Sequence, residues 1–293
     1  MRIGLTARTR QQIAYDPPYS SWDGRFVLNI NDRLIYDVGA HHGEDTEFYL
    51  KKGFDVVAID AVPDNCKLIG EKFSSYVTAN KLRILNCAIS DSSEPISFYV
   101  NDDVSVWSTA NKSWVERNNA LRPGQNIREI RVNAEKLVNI VAKFGVPLYC
   151  KIDIEGNDLL ALRSLANAPS MPRYISIESE KLNWTRLLNE LVAMKQLGYR
   201  KFKVVNQNLI GLHNGEMLGR HGNAIQHKFI PGSSGPFGEE TPGRWMDIFE
   251  CIEVYKGIFR GYFLNGDFGI VKNQNPQLPA ADWYDTHASL DPL

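Results

Sequence analysis

The stretch Leu34-Ile35-Tyr36-Asp37-Val38-Gly39-Ala40-His41-His42-Gly43 decides the fold class. Leu34 to Val38 is a short apolar run carrying one acid and ending in glycine, the pattern of a buried strand. Glu44 to Lys52 sets Phe48 and Leu50 in a polar background and stops at Gly53, a natural helix C-cap. The strand, glycine turn and helix form one unit, and the unit repeats outward. Val56 to Asp60 predicts a second strand; Leu68, Ile69, Phe73, Tyr76 and Val77 follow at helical spacing. Leu82 to Ile89 predicts a third strand, and Ile96 to Val100 predicts half of an inserted hairpin. Leu137, Ile140, Val141 and Phe144 mark a helix face closed by Gly145 and Pro147. Leu148 to Ile154, Tyr174 to Glu178 and Lys201 to Val205 predict three more strands. Before the last of them, Leu187, Leu191, Met194 and Leu197 mark a helix ended by Gly198.

Strands separated by helices predict a doubly wound α/β domain over residues 34–206, with a mostly parallel sheet and right-handed crossovers. Residues 1–33 are expected to be an N-terminal extension. After Asn206 the rhythm stops. Gly232 to Gly238 alone reads as a flexible loop. Yet Phe237, Trp245, Phe249, Tyr255, Phe259, Tyr262 and Phe263 surround it, and disordered linkers rarely carry so many aromatics. Residues 207–293 are therefore expected to form an ordered, aromatic-rich cap over the C-terminal edge of the sheet.

The 293 residues are 43% hydrophobic and 23% charged with a formal net charge of −1, as in an ordinary globular protein. That balance asks for no nucleic-acid or anionic-membrane partner. No run is long enough to span a bilayer, and Met1 to Arg10 has no apolar segment behind it, which argues against a secretory signal. Cys66, Cys87, Cys150 and Cys251 form no CxxC pair, so neither a zinc nor a redox motif is signalled. A reducing cytoplasm is the expected compartment.

The chemistry starts at the glycine turn. Ligands of open α/β sheets sit outside the strand C-termini, where this turn lies. A dinucleotide fingerprint wants GxGxxG, and the turn offers only Gly39 and Gly43. Asp37, two residues before the first glycine, suits a ligand with a cationic amino group and no pyrophosphate, such as S-adenosylmethionine. Asp37, Gly39, Ala40, His41, Gly43 and Thr46 are the expected cofactor contacts here. Asp60 ends the second strand, about 20 residues on, where a carboxylate can accept ribose hydroxyls. The plain alternative is a solvated strand-end acid; on the ribose reading too, an acid at a strand end is expected to hold little of the core. Ala61 and Ala88 are small and would leave room for an adenine ring.

Lys151-Ile152-Asp153-Ile154-Glu155-Gly156 is the second motif. Two carboxylates two residues apart at a strand end reach the same cleft. Burying them is costly unless they meet a cation or a metal. A sulfonium cofactor with its ammonium group supplies that charge; acids decorating a helix N-terminus are the alternative.

DVGAxxG at 37–43 followed by KIDIEG at 151–156 resembles the FkbM family of S-adenosylmethionine-dependent methyltransferases. The resemblance covers roughly Leu34 to Val205 and includes Val132 to Leu137 and Tyr174 to Glu178. The stretch at 232–240 and Trp283 to Ala288 resemble a bacterial subset of that family. The resemblance implies a seven-stranded class I methyltransferase sheet and methylation of hydroxyls on sugars, polysaccharides or polyketides. Asp60 departs from it, since glutamate is usual there, and the shorter arm should still reach ribose. The doubled histidine at 41–42 is also less typical.

An alcohol is a poor nucleophile until a base takes its proton. His287 is the first expectation for that base, with Asp285 beside it on one face of an extended segment docked by Trp283 and Tyr284. A surface histidine in a tail is the alternative, in which case Glu178 or Asp153 takes the role. Those two acids could also hold a divalent metal, but hard-metal sites usually need more ligands, and no metal is assigned. His213, His221 and His227 match no zinc pattern and read as ordinary loop histidines. Glu155, Trp107, Phe237, Trp283 and Asp285 are the expected contacts of a small-molecule or glycan acceptor. Aromatic faces such as Trp107 and Trp114 suit a sugar ring, although core packing is the commoner fate of tryptophan. Two other functions fit less well: a non-catalytic S-adenosylmethionine or sugar-binding module, and a nicotinamide-dependent oxidoreductase, which the missing middle glycine opposes.

Overall fold

β-Branched and aromatic residues at 34–38 and 55–60 favour a pleated, buried strand, and the computed structural model makes both segments inner strands of a sheet. It describes residues 29–180, 183–230, 232–265 and 283–293, with the side chains of 262–265 left aside. The expected extension at 1–33 therefore falls mostly outside the described residues, as do the side chains of Tyr262 and Phe263.

The chain runs Ile30–Val38 (β1), Glu44–Lys51 (α1), Asp55–Asp60 (β2), Pro63–Lys72 (α2), Ser74–Thr78 (α3) and Leu82–Asn86 (β3). The expected strand at 82–89 is broken at Cys87: its second part, Ala88–Ile89 (β4), leaves the main sheet. Ile96–Asn101 (β5), Lys112–Leu121 (α4), Ile127–Val132 (β6) and Ala134–Glu135 (β7) form an insertion. In it β5 pairs antiparallel with β6, while β4 pairs with β7. Then come Leu137–Phe144 (α5), Val146–Ile152 (β8), Asp158–Ser164 (α6), Tyr174–Glu178 (β9), Trp184–Gln196 (α7) and Lys201–Asn206 (β10). Gly215–Met217 (β11) and Ile225–His227 (β12) make a small hairpin before Ile248–Asn265 (α8) and Tyr284–Ser289 (β13).

The main sheet has seven strands in the order β10-β13-β9-β8-β1-β2-β3. Six are parallel; β13 runs antiparallel between β9 and β10. This corrects the expected cap: residues 284–289 are an inner strand of the sheet. Asp285 lies opposite Glu178, and His287 lies between Ser176 and Lys203. The polar side chain of Thr286 is satisfied there, because the hydroxyls of Thr286, Ser179 and Tyr255 bond one another at 2.6–2.7 Å.

Each face of the sheet has its own core. On one, α5, α6, α7 and α8 bury Leu137, Leu162, Leu191, Met194 and Tyr255. On the other, α1 meets the segment that follows β10, burying Phe48, Tyr49, Phe229 and Phe237. Phe237 stacks on Tyr149 with centroids 4.5 Å apart. A buried ion pair, Lys52 Nζ to Glu240 at 2.7 Å, fastens the same segment to the end of α1. Residues 207–247 thus cover a face of the sheet, and only part of the segment reaches its C-terminal edge. No helix among the described residues is long and apolar enough to cross a membrane.

Candidate functional site

Parallel strands deliver their C-terminal ends to one edge, and there a cavity of about 590 Å³ opens across β2, β1, β8, β9 and the start of β13. Its first half is built by the glycine turn. The Gly39 and Ala40 N–H groups both donate to the Ile59 carbonyl, at 2.9 and 3.1 Å, which ties the turn to β2. Gly39 has φ 84°, and a Cβ there would lie 1.8 Å from the Asp153 carbonyl oxygen. Only glycine lets the ends of β1 and β8 approach this closely.

Asp60 is 9% exposed and organises the turn. Its Oδ2 accepts the His41 N–H at 2.8 Å; its Oδ1 accepts the Val62 N–H at 2.8 Å and the Asn65 amide at 3.1 Å. Burial raises the carboxyl above its ordinary value, against the pull of these donors. The acid is therefore not merely solvated, and the expectation that it holds little of the fold is corrected: it ties the turn to the start of α2. The His41 ring lies between Glu44, at 3.0 Å, and Ser105, at 2.9 Å. Ala40, Ala61 and Ala88 line the cavity.

Three expected cofactor contacts do not line it. Asp37 is fully buried behind the turn, where Thr46 Oγ1 donates to it at 2.6 Å and Lys151 Nζ approaches to 3.3 Å. The cation that Asp37 meets is the protein's own lysine. Thr46 serves Asp37, and Gly43 caps α1 at φ 79°, where a Cβ would strike Phe73 at 2.7 Å. Lys151 also faces Asp45 at 3.5 Å and Asp153 at 3.7 Å. Burial pushes Asp45 up to about 7 while Lys151 draws it down. Asp45 and Lys151 both line the cavity and were missed in the sequence. So was Asn65, whose position one turn into α2 from Asp60 was the available signal.

The second half of the cavity is acidic and aromatic. Asp153, Glu155, Glu178 and Asp285 line it with Trp107, Trp114, Trp283 and Arg117. One carboxylate oxygen from each of Asp153, Glu155 and Glu178 falls within 4.8 Å of the others. Glu155 sits at φ 50°, unusual for a residue with a side chain. Its carbonyl accepts the Thr109 hydroxyl at 2.7 Å. Burial, then Glu178 and Asp153, push the Glu155 carboxyl well above the carboxylate range. Burial, then Asp153 and Glu178, do the same to Asp285.

Two expected residues are elsewhere. His287 is 2% exposed inside the sheet, stacked 6.4 Å from Tyr149, and does not line the cavity. Its Nε2 has no hydrogen-bond partner among the described residues. Burial first, then Lys203 opposite, lowers the imidazole to about 3. Asp285 and His287 do share a face, but His287 lies two residues deeper along it. Phe237 is core and does not line this cavity. His221 and His227 pack as aromatic rings against Phe237 and Phe229.

The model of the methyltransferase FkbM domain matches residues 37–201, more than half of the chain. The protein belongs to the FkbM methyltransferase family. As an FkbM methyltransferase it takes S-adenosyl-L-methionine as cofactor. No curated relative matches the sequence. Among solved structures it is similar to a precorrin-6y C5,15-methyltransferase from Geobacter metallireducens, at 9% identity over 89% of this chain and 82% of that one, with TM-score 0.36. A SAM-dependent methyltransferase from Archaeoglobus fulgidus is 12% identical over 89% and 88%, with TM-score 0.36. A SAM-dependent O-methyltransferase from Thermotoga maritima is 8% identical over 90% and 62%, with TM-score 0.36. Likenesses this distant carry no weight for the acceptor of this FkbM methyltransferase.

Proposed function

We propose that this FkbM methyltransferase moves the methyl group of S-adenosylmethionine onto a hydroxyl of a sugar, a glycan or a related natural product. The observation that carries the reading is the second half of the cavity, where carboxylates stand among three tryptophans next to the glycine turn. Carboxylates accept hydrogen bonds from hydroxyls, and aromatic faces suit the apolar face of a sugar ring.

The first half fits the cofactor. Oδ1 of Asp60 has two donors and Oδ2 has one, so Oδ2 retains an acceptor position for a ribose hydroxyl. Ala40, Ala61 and Ala88 leave space for flat and bulky groups. The volume falls within the usual range for a small-molecule site. When bound, the cofactor supplies an electrophilic methyl on a sulfonium. The chain must then hold the acceptor oxygen in line and take its proton. Asp153 or Glu178 is the base in this reading, because both line the cavity and His287 does not. A plain cofactor-binding module fits less well, since such a module needs no ring of acids at the acceptor end.

The test is a methyl-transfer screen with labelled cofactor against nucleotide sugars and free glycans. The expected result is label on an acceptor hydroxyl, lost in Asp153→Asn or Glu178→Gln while S-adenosylhomocysteine still binds. Transfer to a nitrogen or carbon acceptor alone would refute the hydroxyl assignment.

A further inference from the structure

The acidic end of the cavity gathers the carboxylates of Asp153, Glu155, Glu178 and Asp285. Asp285 lies opposite Glu178 across the β9–β13 pair, so both side chains stand on one face. Like charges in that position repel. Asp153 and Glu155 close the group from the end of β8. Lys151, 3.7 Å from Asp153, is shared among Asp37, Asp45 and Asp153. Arg117 lies over the Trp114 ring, 4.8 Å from its centroid.

A second observation points to a ligand. Asp285 is 5% exposed and lines the cavity, yet among the described residues its carboxylate receives no hydrogen bond and forms no ion pair. Burying a carboxylate this way is unfavourable unless a cation meets it. The backbone also works to keep the group together. Glu155 is held at positive φ, and Gly156 follows at φ 91° because a Cβ there would strike the Trp114 indole at 1.9 Å. Unfavourable backbone geometry persists where surrounding structure enforces it, commonly at ligand sites.

We infer that Asp153, Glu155 and Glu178, with Asp285 beside them, form a binding site for one hard divalent cation at the acceptor end of the cavity. Carboxylate oxygens drawn from three strand ends are the donor set that Mg²⁺, Mn²⁺ and Ca²⁺ prefer. The inference rests on the proposed hydroxyl chemistry in one respect: a cation there would bind the acceptor oxygen and ease loss of its proton to a neighbouring carboxylate.

The experiment titrates Mn²⁺ into the intact protein and follows its electron paramagnetic resonance, with calorimetry of S-adenosylhomocysteine on the same samples. The expected result is one equivalent of bound Mn²⁺ that Mg²⁺ or Ca²⁺ displaces. Asp285→Asn and Glu155→Gln should each weaken it about tenfold or more and leave S-adenosylhomocysteine binding near that of the parent. Both substitutions relieve repulsion, so neither variant should melt below the parent in the absence of metal. Mn²⁺ should raise the melting midpoint of the parent and not of the variants. A parent that binds S-adenosylhomocysteine but no Mn²⁺, or Mn²⁺ binding that survives both substitutions, overturns the site. Failure of S-adenosylhomocysteine to bind the parent would instead strike the methyltransferase reading, and the Mn²⁺ titration reports separately.

Discussion

Replacing Asp60 with alanine should weaken cofactor binding and the fold together. The carboxylate accepts two backbone N–H groups and one side-chain amide, at 2.8, 2.8 and 3.1 Å. A bond to a charged acceptor contributes about 1.5–3 kcal/mol when sheltered. Asp60 sits at the cavity wall, so water can reach the His41 and Val62 donors once the acid is gone. The three contacts together should then be worth about 2–4 kcal/mol. For a domain of this size that lowers the melting midpoint by roughly 3–8 °C. Loss of the ribose acceptor should cost a further 1.5–3 kcal/mol of cofactor affinity, about tenfold to 150-fold. Asp60→Asn separates the two effects. It keeps one oxygen for the Val62 N–H, so it should melt between the other two proteins while binding cofactor nearly as poorly as alanine. Calorimetry with S-adenosylhomocysteine, on samples shown to be folded by circular dichroism, reads affinity; thermal melting without ligand reads stability. Parent affinity in Asp60→Ala would refute the ribose role. An unchanged midpoint would refute the hydrogen-bond network.

Gly39→Ala should cost about 3 kcal/mol or more and abolish cofactor binding, because its methyl overlaps the Asp153 carbonyl at positive φ; urea unfolding that matches the parent would refute this. The His287 contribution to stability should be complete above pH 6.5 and be lost at about 1.4 kcal/mol per unit as the pH falls from there toward 3, because the unfolded chain protonates the ring at its ordinary value while the sheet holds it down at about 3. The buried carboxyls that the fold raises act in the opposite sense, so the contribution is read as the difference between the parent and His287→Leu. His287→Leu should flatten that part of the acid-unfolding curve and retain S-adenosylhomocysteine binding; an identical curve would show that the ring is accessible. Lys52→Met should destabilise by about 3–5 kcal/mol by stranding buried Glu240, and adding Glu240→Leu should restore most of the loss in chemical denaturation.

The strands that frame the cavity were readable because apolar runs ending at Gly39, Asp60, Asp153 and Glu178 carry their own punctuation. The acids at those ends fell into the cleft for the same reason. Asp37 was misread because its partner, Lys151, is distant in sequence and only the β1–β8 register brings the two together. Strand β13 was misread for a different reason. An inner strand normally announces itself by continuous apolar residues, and Tyr284-Asp285-Thr286-His287-Ala288-Ser289 is largely polar. Its Thr286 is paid for by a triangle of hydroxyls with Ser179 and Tyr255, an arrangement that no periodicity reveals. The same hidden strand explains why His287 looked available as a base.

The position of β13 has a consequence for how the protein is made. Strands β9 and β10 cannot pair with each other across the gap that residues 284–289 fill. During synthesis both therefore wait with bare rows of N–H and C=O groups, the kind of open edge that invites aggregation. Asp285, at the head of the late strand, also completes the acidic wall of the cavity. Closing the sheet and finishing the acceptor end are thus a single event, which waits until residues 284–289 have emerged, well after β10. A chain stopped short of Tyr284 would lack both the inner strand and the Asp285 wall at once.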